Sequence, residues 1–204
     1  MNQKTTPIAL AVLLSVPVLQ AGITDQLVTH LTFDSNLLDI SGKSHHGTAV
    51  GNIQYGSGQV GTGAVQLSFK KDGTSFNYVT LGAPADLNFG TSTDFSLSFW
   101  TKFQQFVFDP PFIGNKDWNS GSNVGWVVAT AGDGRIQWNF RSKGDPQPAR
   151  RDYDSPGGYF NGAVWRHIVV TFDVNGKAST YVNGDLVDSR DVGPVAAGPN
   201  SGLP

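Results

Sequence analysis

Cysteine is absent from the 204 residues. No disulfide framework staples the chain, so its stability has to come from a buried core, with or without help from a metal. Glutamate is absent too: all 16 acidic residues are Asp, and every mechanism that requires a glutamate is excluded. The 14 Lys and Arg residues are scattered instead of gathered in a stripe, and the formal net charge is −2, which argues against nucleic acid as a partner. Gly-x-Ser-x-Gly does not occur, and Gly56-Ser57-Gly58 reads as a turn, so no nucleophile elbow is expected. Outside the first 21 residues no amphipathic helical pattern of about ten or more residues is found.

What is present begins with an export pattern. Lys4 supplies a positive start, Ile8 to Leu19 an apolar run, and Leu19-Gln20-Ala21 a cleavage site. The alternative, a transmembrane anchor, needs roughly 20 apolar residues, and this run is shorter and is broken by Pro17. Residues 1–21 are therefore read as a signal peptide and residues 22–204 as one domain, secreted or periplasmic, with no membrane span after cleavage.

Within that domain, short β-branched and aromatic runs recur between clusters of Gly, Asn, Asp and Pro. Strands are expected at Leu27 to Phe33, Thr48 to Tyr55, Ala64 to Phe69, Tyr78 to Leu81, Phe95 to Phe103, Trp126 to Ala131, Arg135 to Arg141, Trp165 to Phe172, Ala178 to Val182 and Leu186 to Ser189. The fold class is all-β, with two packed antiparallel sheets. Phe95, Leu97 and Phe99 alternate with Ser96, Ser98 and Trp100, the pattern of a strand with one face in the core. Asn175-Gly176 and Asn183-Gly184 suit type I′ turns, because both residues tolerate the positive φ that turn demands. They predict a three-stranded meander over residues 165–189. Long polar loops are expected at Asp34 to Gly47, Gly114 to Gly125 and Ser142 to Gly162, the places where binding sites are usually built. Gly193 to Pro204 ends without a closing strand, so the chain is expected to be cut short.

Five segments then take on a shared meaning: Leu31 to Thr48 (LTFDSNLLDISGKSHHGT), Tyr78-Val79-Thr80-Leu81, Asp94 to Trp100 (DFSLSFW), Trp165 to Asp173 (WRHIVVTFD) and Tyr181-Val182-Asn183-Gly184. In this order they resemble bacterial laminin G-like domains of the concanavalin A-like lectin and glucanase superfamily. The resemblance implies a jelly-roll β-sandwich, usually a non-catalytic module of an extracellular bacterial protein, and it says little about the ligand. It departs from the family at the end, where a further strand and an Asp-containing closing strand normally follow.

Three clusters are candidate sites. Asp34, Asn36, Asp39 and the His45-His46-Gly47 turn form the first. The resemblance implies a structural calcium there, with Asp34 as side-chain ligand and carbonyls from around Asn36 and His46, since hard cations collect such oxygens. The alternative is an Asx-turn network that orders the loop without metal. Adjacent histidines also invite zinc, but neighbours on an extended chain point opposite ways, and surface or turn histidines are the better reading. The second cluster is Trp118 with Asn115, Asp117 and Asn119, where an indole offers a face to a pyranose and the polar groups bond its hydroxyls. These residues are equally suited to tying a loop to the sandwich rim. In the third, Arg151 and Tyr153 present a guanidinium and a phenol, and Arg-Asp and Arg-Tyr pairs also pin loops to surfaces. Trp100, Trp138 and Trp165 are read as core or sheet-surface packing, and His167 as structural.

Two functions are compatible with this pattern. One is a non-catalytic binding module for carbohydrate or a cell-surface polymer; the other is an accessory domain packed on a downstream domain of a larger secreted hydrolase. Catalysis by this chain is not expected. Asp152 and Asp154 are the only Asp-x-Asp pair, and Arg-rich surroundings disfavour a general acid.

Overall fold

Alternation of apolar and polar side chains, with turn residues between, produces twelve short strands and one 3-10 turn among the described residues. The computed structural model describes residues 22, 24–68, 76–89, 93–103, 109–116, 125–141, 151–173 and 176–191, with the backbone alone at 151 and 152. The segment 1–21 expected to be a signal peptide, Asp117, Trp118 and Asn119, and the segment 192–204 lie outside the described residues. In order the strands are β1 (Thr48–Val50), β2 (Gln54–Gly56), β3 (Ala64–Gln66), β4 (Tyr78–Thr80), β5 (Phe95–Thr101), β6 (Pro111–Gly114), β7 (Gly125–Thr130), β8 (Ile136–Arg141), β9 (Arg151–Asp154), β10 (Arg166–Phe172), β11 (Lys177–Val182) and β12 (Asp185–Asp191), with the 3-10 turn at Ala85–Leu87.

Two four-stranded antiparallel sheets, in the orders β12-β11-β10-β5 and β6-β7-β8-β9, carry the core between them. The first contributes Ile168, Val170, Phe172, Ala178 and Val182, and the second contributes Trp126, Val128, Ile136, Trp138, Phe140 and Tyr153. Phe172 meets Phe140 edge to face at 4.8 Å and Trp138 at 5.4 Å, while Phe95 lies 5.5 Å from Trp126. Each fully buried ring contributes about 1.5–3 kcal/mol, and such aromatic pairs add about 0.5–1.5 kcal/mol more. The arrangement is the expected all-β jelly-roll sandwich. Two-stranded ribbons, β1-β4 and β2-β3, complete the described strands.

Several expectations need correction. Leu27 to Phe33 is not a strand; only Leu31 makes an isolated bridge, to Asp39. Phe33 and Ser35 have φ of 59° and 57°, which ends any extended run there. The expected strand Thr48 to Tyr55 divides into β1 and β2 at Gly51, whose φ is 76°. Two strands went unpredicted, β6 and β9, which form the edges of their sheet. β6 opens on Pro111, a residue tolerated at the start of an edge strand, and the charges of Arg151–Asp154 hide the inward Tyr153. The Asn183-Gly184 hairpin holds, with φ of 52° and 93°. The other hairpin closes between Asp173 and Lys177, where Asp173 N–H donates to the Lys177 carbonyl at 3.0 Å. It is therefore longer than a two-residue turn, and Asn175 lies outside the described residues.

Candidate binding surfaces

In the N-terminal loop the organising group is Asp39, which is buried. Its Oδ1 accepts the His30 and Ser41 backbone N–H groups at 2.8 and 2.9 Å, and its Oδ2 accepts the Ser41 hydroxyl and the His45 N–H at 2.8 and 2.9 Å. Burial alone would raise its pKa. The hydrogen bonds from His30, Ser41 and His45 outweigh that and hold the carboxyl far below the usual carboxylate range. The His45 ring then links the loop to the 3-10 turn, with Nδ1 at 3.0 Å from the Val28 carbonyl and Nε2 at 3.0 Å from Asp86 Oδ1.

Asp34, Asn36 and His46 are tied into the same segment. Asp34 Oδ1 accepts the Thr62 N–H at 2.6 Å, the Thr62 hydroxyl at 3.0 Å and the Gly63 N–H at 2.7 Å. Those bonds, the Thr62 backbone bond foremost, lower its pKa. Gly61 is required beside it: its φ is 73°, and a Cβ there would stand 2.7 Å from Asp34 Oδ1. Asn36 donates to the Asp34 carbonyl at 2.9 Å and accepts the Leu38 N–H at 2.9 Å, and His46 Nδ1 accepts the Asp39 N–H at 3.0 Å. Each of these acceptors faces an N–H or O–H donor, whose positive end opposes a cation. Asp34 Oδ1 is thus occupied by three donors, and among the described residues no group of three or more His, Cys, Asp or Glu is placed to hold a metal ion. The geometry is that of an Asx-turn network.

The strand ends that border the second and third clusters lie at one end of one sheet. β7 begins at Gly125 opposite Arg141 at the end of β8, and Phe140 pairs with Arg151 at the start of β9. The chain stretches bearing Trp118 and Arg150 therefore leave from adjacent strand ends. Asn115 Oδ1 accepts the Trp126 N–H at 2.8 Å, and Lys116 Nζ donates to Asn139 at 2.8 Å, so both anchor this end. Tyr153 is placed differently from the expectation. It lies on a strand, 7 % exposed, with its ring stacked on Trp138 at 4.4 Å; a core ring of this kind is not free to meet a ligand. Asp154 accepts from Arg135 at 2.9 Å, and Arg135 also clasps Asp133, whose pKa that bond lowers.

One surface was missed from the sequence. On the outer face of the β12-β11-β10-β5 sheet, Trp100 is 40 % exposed and stacks on His167 directly across the strand pair, with ring centroids 5.0 Å apart. Ser98 Oγ lies 2.8 Å from His167 Nε2. The strict alternation from Phe95 to Thr101 was the available signal, since it puts Trp100 opposite the core-facing Phe99.

Comparison with known proteins places this architecture. The family model for the concanavalin A-like lectin/glucanases superfamily, laminin G type, matches residues 72–203. Paraclostridial mosquitocidal protein 1 of Paraclostridium bifermentans is 22% identical over 185 residues, 83% of this chain and 14% of that protein. The crystal structure of its binding domain superposes with a TM-score of 0.68 at 21% identity, over 87% of this chain and 43% of that one. A structure of botulinum neurotoxin type C, whose cell entry depends on interaction with two ganglioside molecules, gives 0.65 at 18% identity, over 87% and 42%. The binding domain of botulinum neurotoxin DC in complex with rat synaptotagmin II gives 0.61 at 18% identity, over 87% and 43%. At such identities the structural likeness is one of fold, and the chain spans a minor part of each relative. The family match covers well over half of the 204 residues, and the chain belongs to the concanavalin A-like lectin/glucanases superfamily.

Proposed function

We propose that this chain is a non-catalytic, exported recognition module for carbohydrate on a cell surface or extracellular polymer. The observation that carries the reading is that the strand ends at Gly125, Arg141 and Arg151, which border two long polar stretches of the sequence, lie at one end of the β6-β7-β8-β9 sheet next to the anchored Asn115 and Lys116. Trp118 is the stacking residue in this proposal, with Asp117, Asn119 and Arg151 as polar partners. Structures that share the fold support it, because one is the binding domain of Paraclostridial mosquitocidal protein 1 and another is of a toxin whose cell entry depends on interaction with two ganglioside molecules. The Asp34 network supports a module that works without calcium. The absence of Glu and the engagement of Asp154 by Arg135 speak against glycoside hydrolysis, which needs a raised carboxyl pKa.

A glycan array with the purified chain tests this. Binding to a defined set of glycans is expected, equal in calcium and in chelator, and Trp118→Ala should weaken it at least tenfold with an unchanged melting temperature. Binding to no glycan would sink the reading. An accessory role, packed on another domain, is the second reading. It is favoured by the exposed apolar side chains Leu38, Ile40, Val60, Leu67 and Phe76 and by the far greater length of the curated relative.

A further inference from the structure

We infer that the outer face of the β12-β11-β10-β5 sheet is a separate binding site for a carboxylate-bearing sugar, centred on Trp100, His167 and Lys102. This site does not need the rim connections. The indole is left 40 % open on a sheet face where its neighbours on the same strand are the small polar Ser96 and Ser98, so nothing on β5 overhangs it. One side of that indole is taken by the His167 imidazole, 27° from coplanar. β5 is an edge strand with β10 as its single described partner, so a further ring can continue the stack beyond Trp100.

The pair is held rigidly. Ser98 Oγ meets His167 Nε2 at 2.8 Å, the His167 N–H donates to Asn183 Oδ1 at 3.0 Å, and the Asn183 N–H donates to the His167 carbonyl at 2.8 Å. The Asn183-Gly184 turn, with both φ positive, is what brings that amide to β10. A platform fixed before the ligand arrives loses little side-chain entropy on binding.

Charge selects the ligand. Lys102 stands two residues from Trp100 on the same face, about 7 Å along the strand. Its ammonium lies 5.0 Å from the centre of the Trp165 ring, a cation–π contact that orients the charge without neutralising it. Among the described residues no carboxylate is within ion-pair distance of Lys102. The nearest acidic position by strand order, Asp185 on β12, is two strands from His167. A pyranose therefore stacks its C–H face on the side of Trp100 turned away from His167 and sets its carboxylate on Lys102. A neutral sugar leaves the ammonium unused.

The test is a titration of the purified chain with sialyllactose, a glucuronate-terminated oligosaccharide, lactose and lactose sulfate. Indole N–H and imidazole signals are read by NMR. Saturable shifts at Trp100 and His167 with either carboxylated sugar are expected, at least tenfold tighter than with lactose. The two acids distinguish a sialylated from a uronic source. Lys102→Gln should bring the acidic sugars down to the lactose level, and Trp100→Ala should abolish the shifts at His167. Trp100→Phe should retain part of the binding if Ala disturbs the sheet. Acidic sugars that bind Trp100→Ala and Lys102→Gln as well as the unmodified chain overturn this assignment and leave the rim reading standing. Preference for sulfated over carboxylated sugar also overturns it, and binding of no sugar overturns both.

Discussion

In the two four-stranded sheets the chain is held by rings: Phe172 meets Phe140 at 4.8 Å and Trp138 at 5.4 Å, and Phe95 meets Trp126 at 5.5 Å, across the sandwich. In the N-terminal segment it is held by carboxylates. Asp39 collects donors from His30, Ser41 and His45, and Asp34 collects them from Thr62 and Gly63, while Leu38 and Ile40 beside them point to solvent. Burying apolar area is cooperative and insensitive to pH, whereas a hydrogen-bonded carboxylate is local and titrates. The two regions should therefore fail under different insults.

The largest expected effect comes from the core. Phe172→Ala should cost about 3–5 kcal/mol, enough to bring most of the chain near its unfolding midpoint, and urea denaturation should show one transition moved far to lower denaturant. A loss below 1 kcal/mol would mean that the sandwich does not depend on this ring.

Asp39→Ala should act next, and locally. Removing the carboxylate strands buried donors at a cost of roughly 1–3 kcal/mol, and amide exchange should quicken at His30, Ser41 and His45 while β7, β8 and β10 keep their protection. Acid should do the same to the unmodified chain. Because the folded Asp39 carboxyl titrates below its ordinary value of about 4, its contribution is whole above that value and is lost as pH falls towards the native pKa. Protection in the N-terminal segment that stays constant from neutral to strongly acidic pH would remove the contrast between the regions.

The smallest effect sharpens the contrast from the other side. Ile40→Ser, at a site 60 % exposed, should change stability by less than about 0.5 kcal/mol in the isolated chain. A larger loss would show that this side chain is covered in solution.

The core side of the fold was legible because period-two alternation is written in each strand: Phe95, Leu97 and Phe99 face inward as the pattern requires. Edge strands β6 and β9 were not, because a strand that is short, begins with Pro111 or carries Arg151 and Asp152 departs from that pattern, and its partner strand supplies what its own sequence lacks. For the sites, the polar loop around Asp34 and Asp39 was found by composition, but the donors to Asp34, Thr62 and Gly63, are nearly thirty residues away. No local reading reaches that far. Tyr153 failed for the converse reason, since its charged neighbours suggested a loop while Trp138 across the ladder held it in the core.

By itself, then, the sequence determined an all-β chain without a cysteine staple or a glutamate acid, because composition and periodicity are local properties that each residue carries alone. Tertiary structure decided which polar groups are consumed and which are offered. Asp34 and Asp39 are spent on backbone donors, and Trp100 and Lys102 are left facing outward, because availability depends on what packs against a side chain and only the assembled sheets determine that.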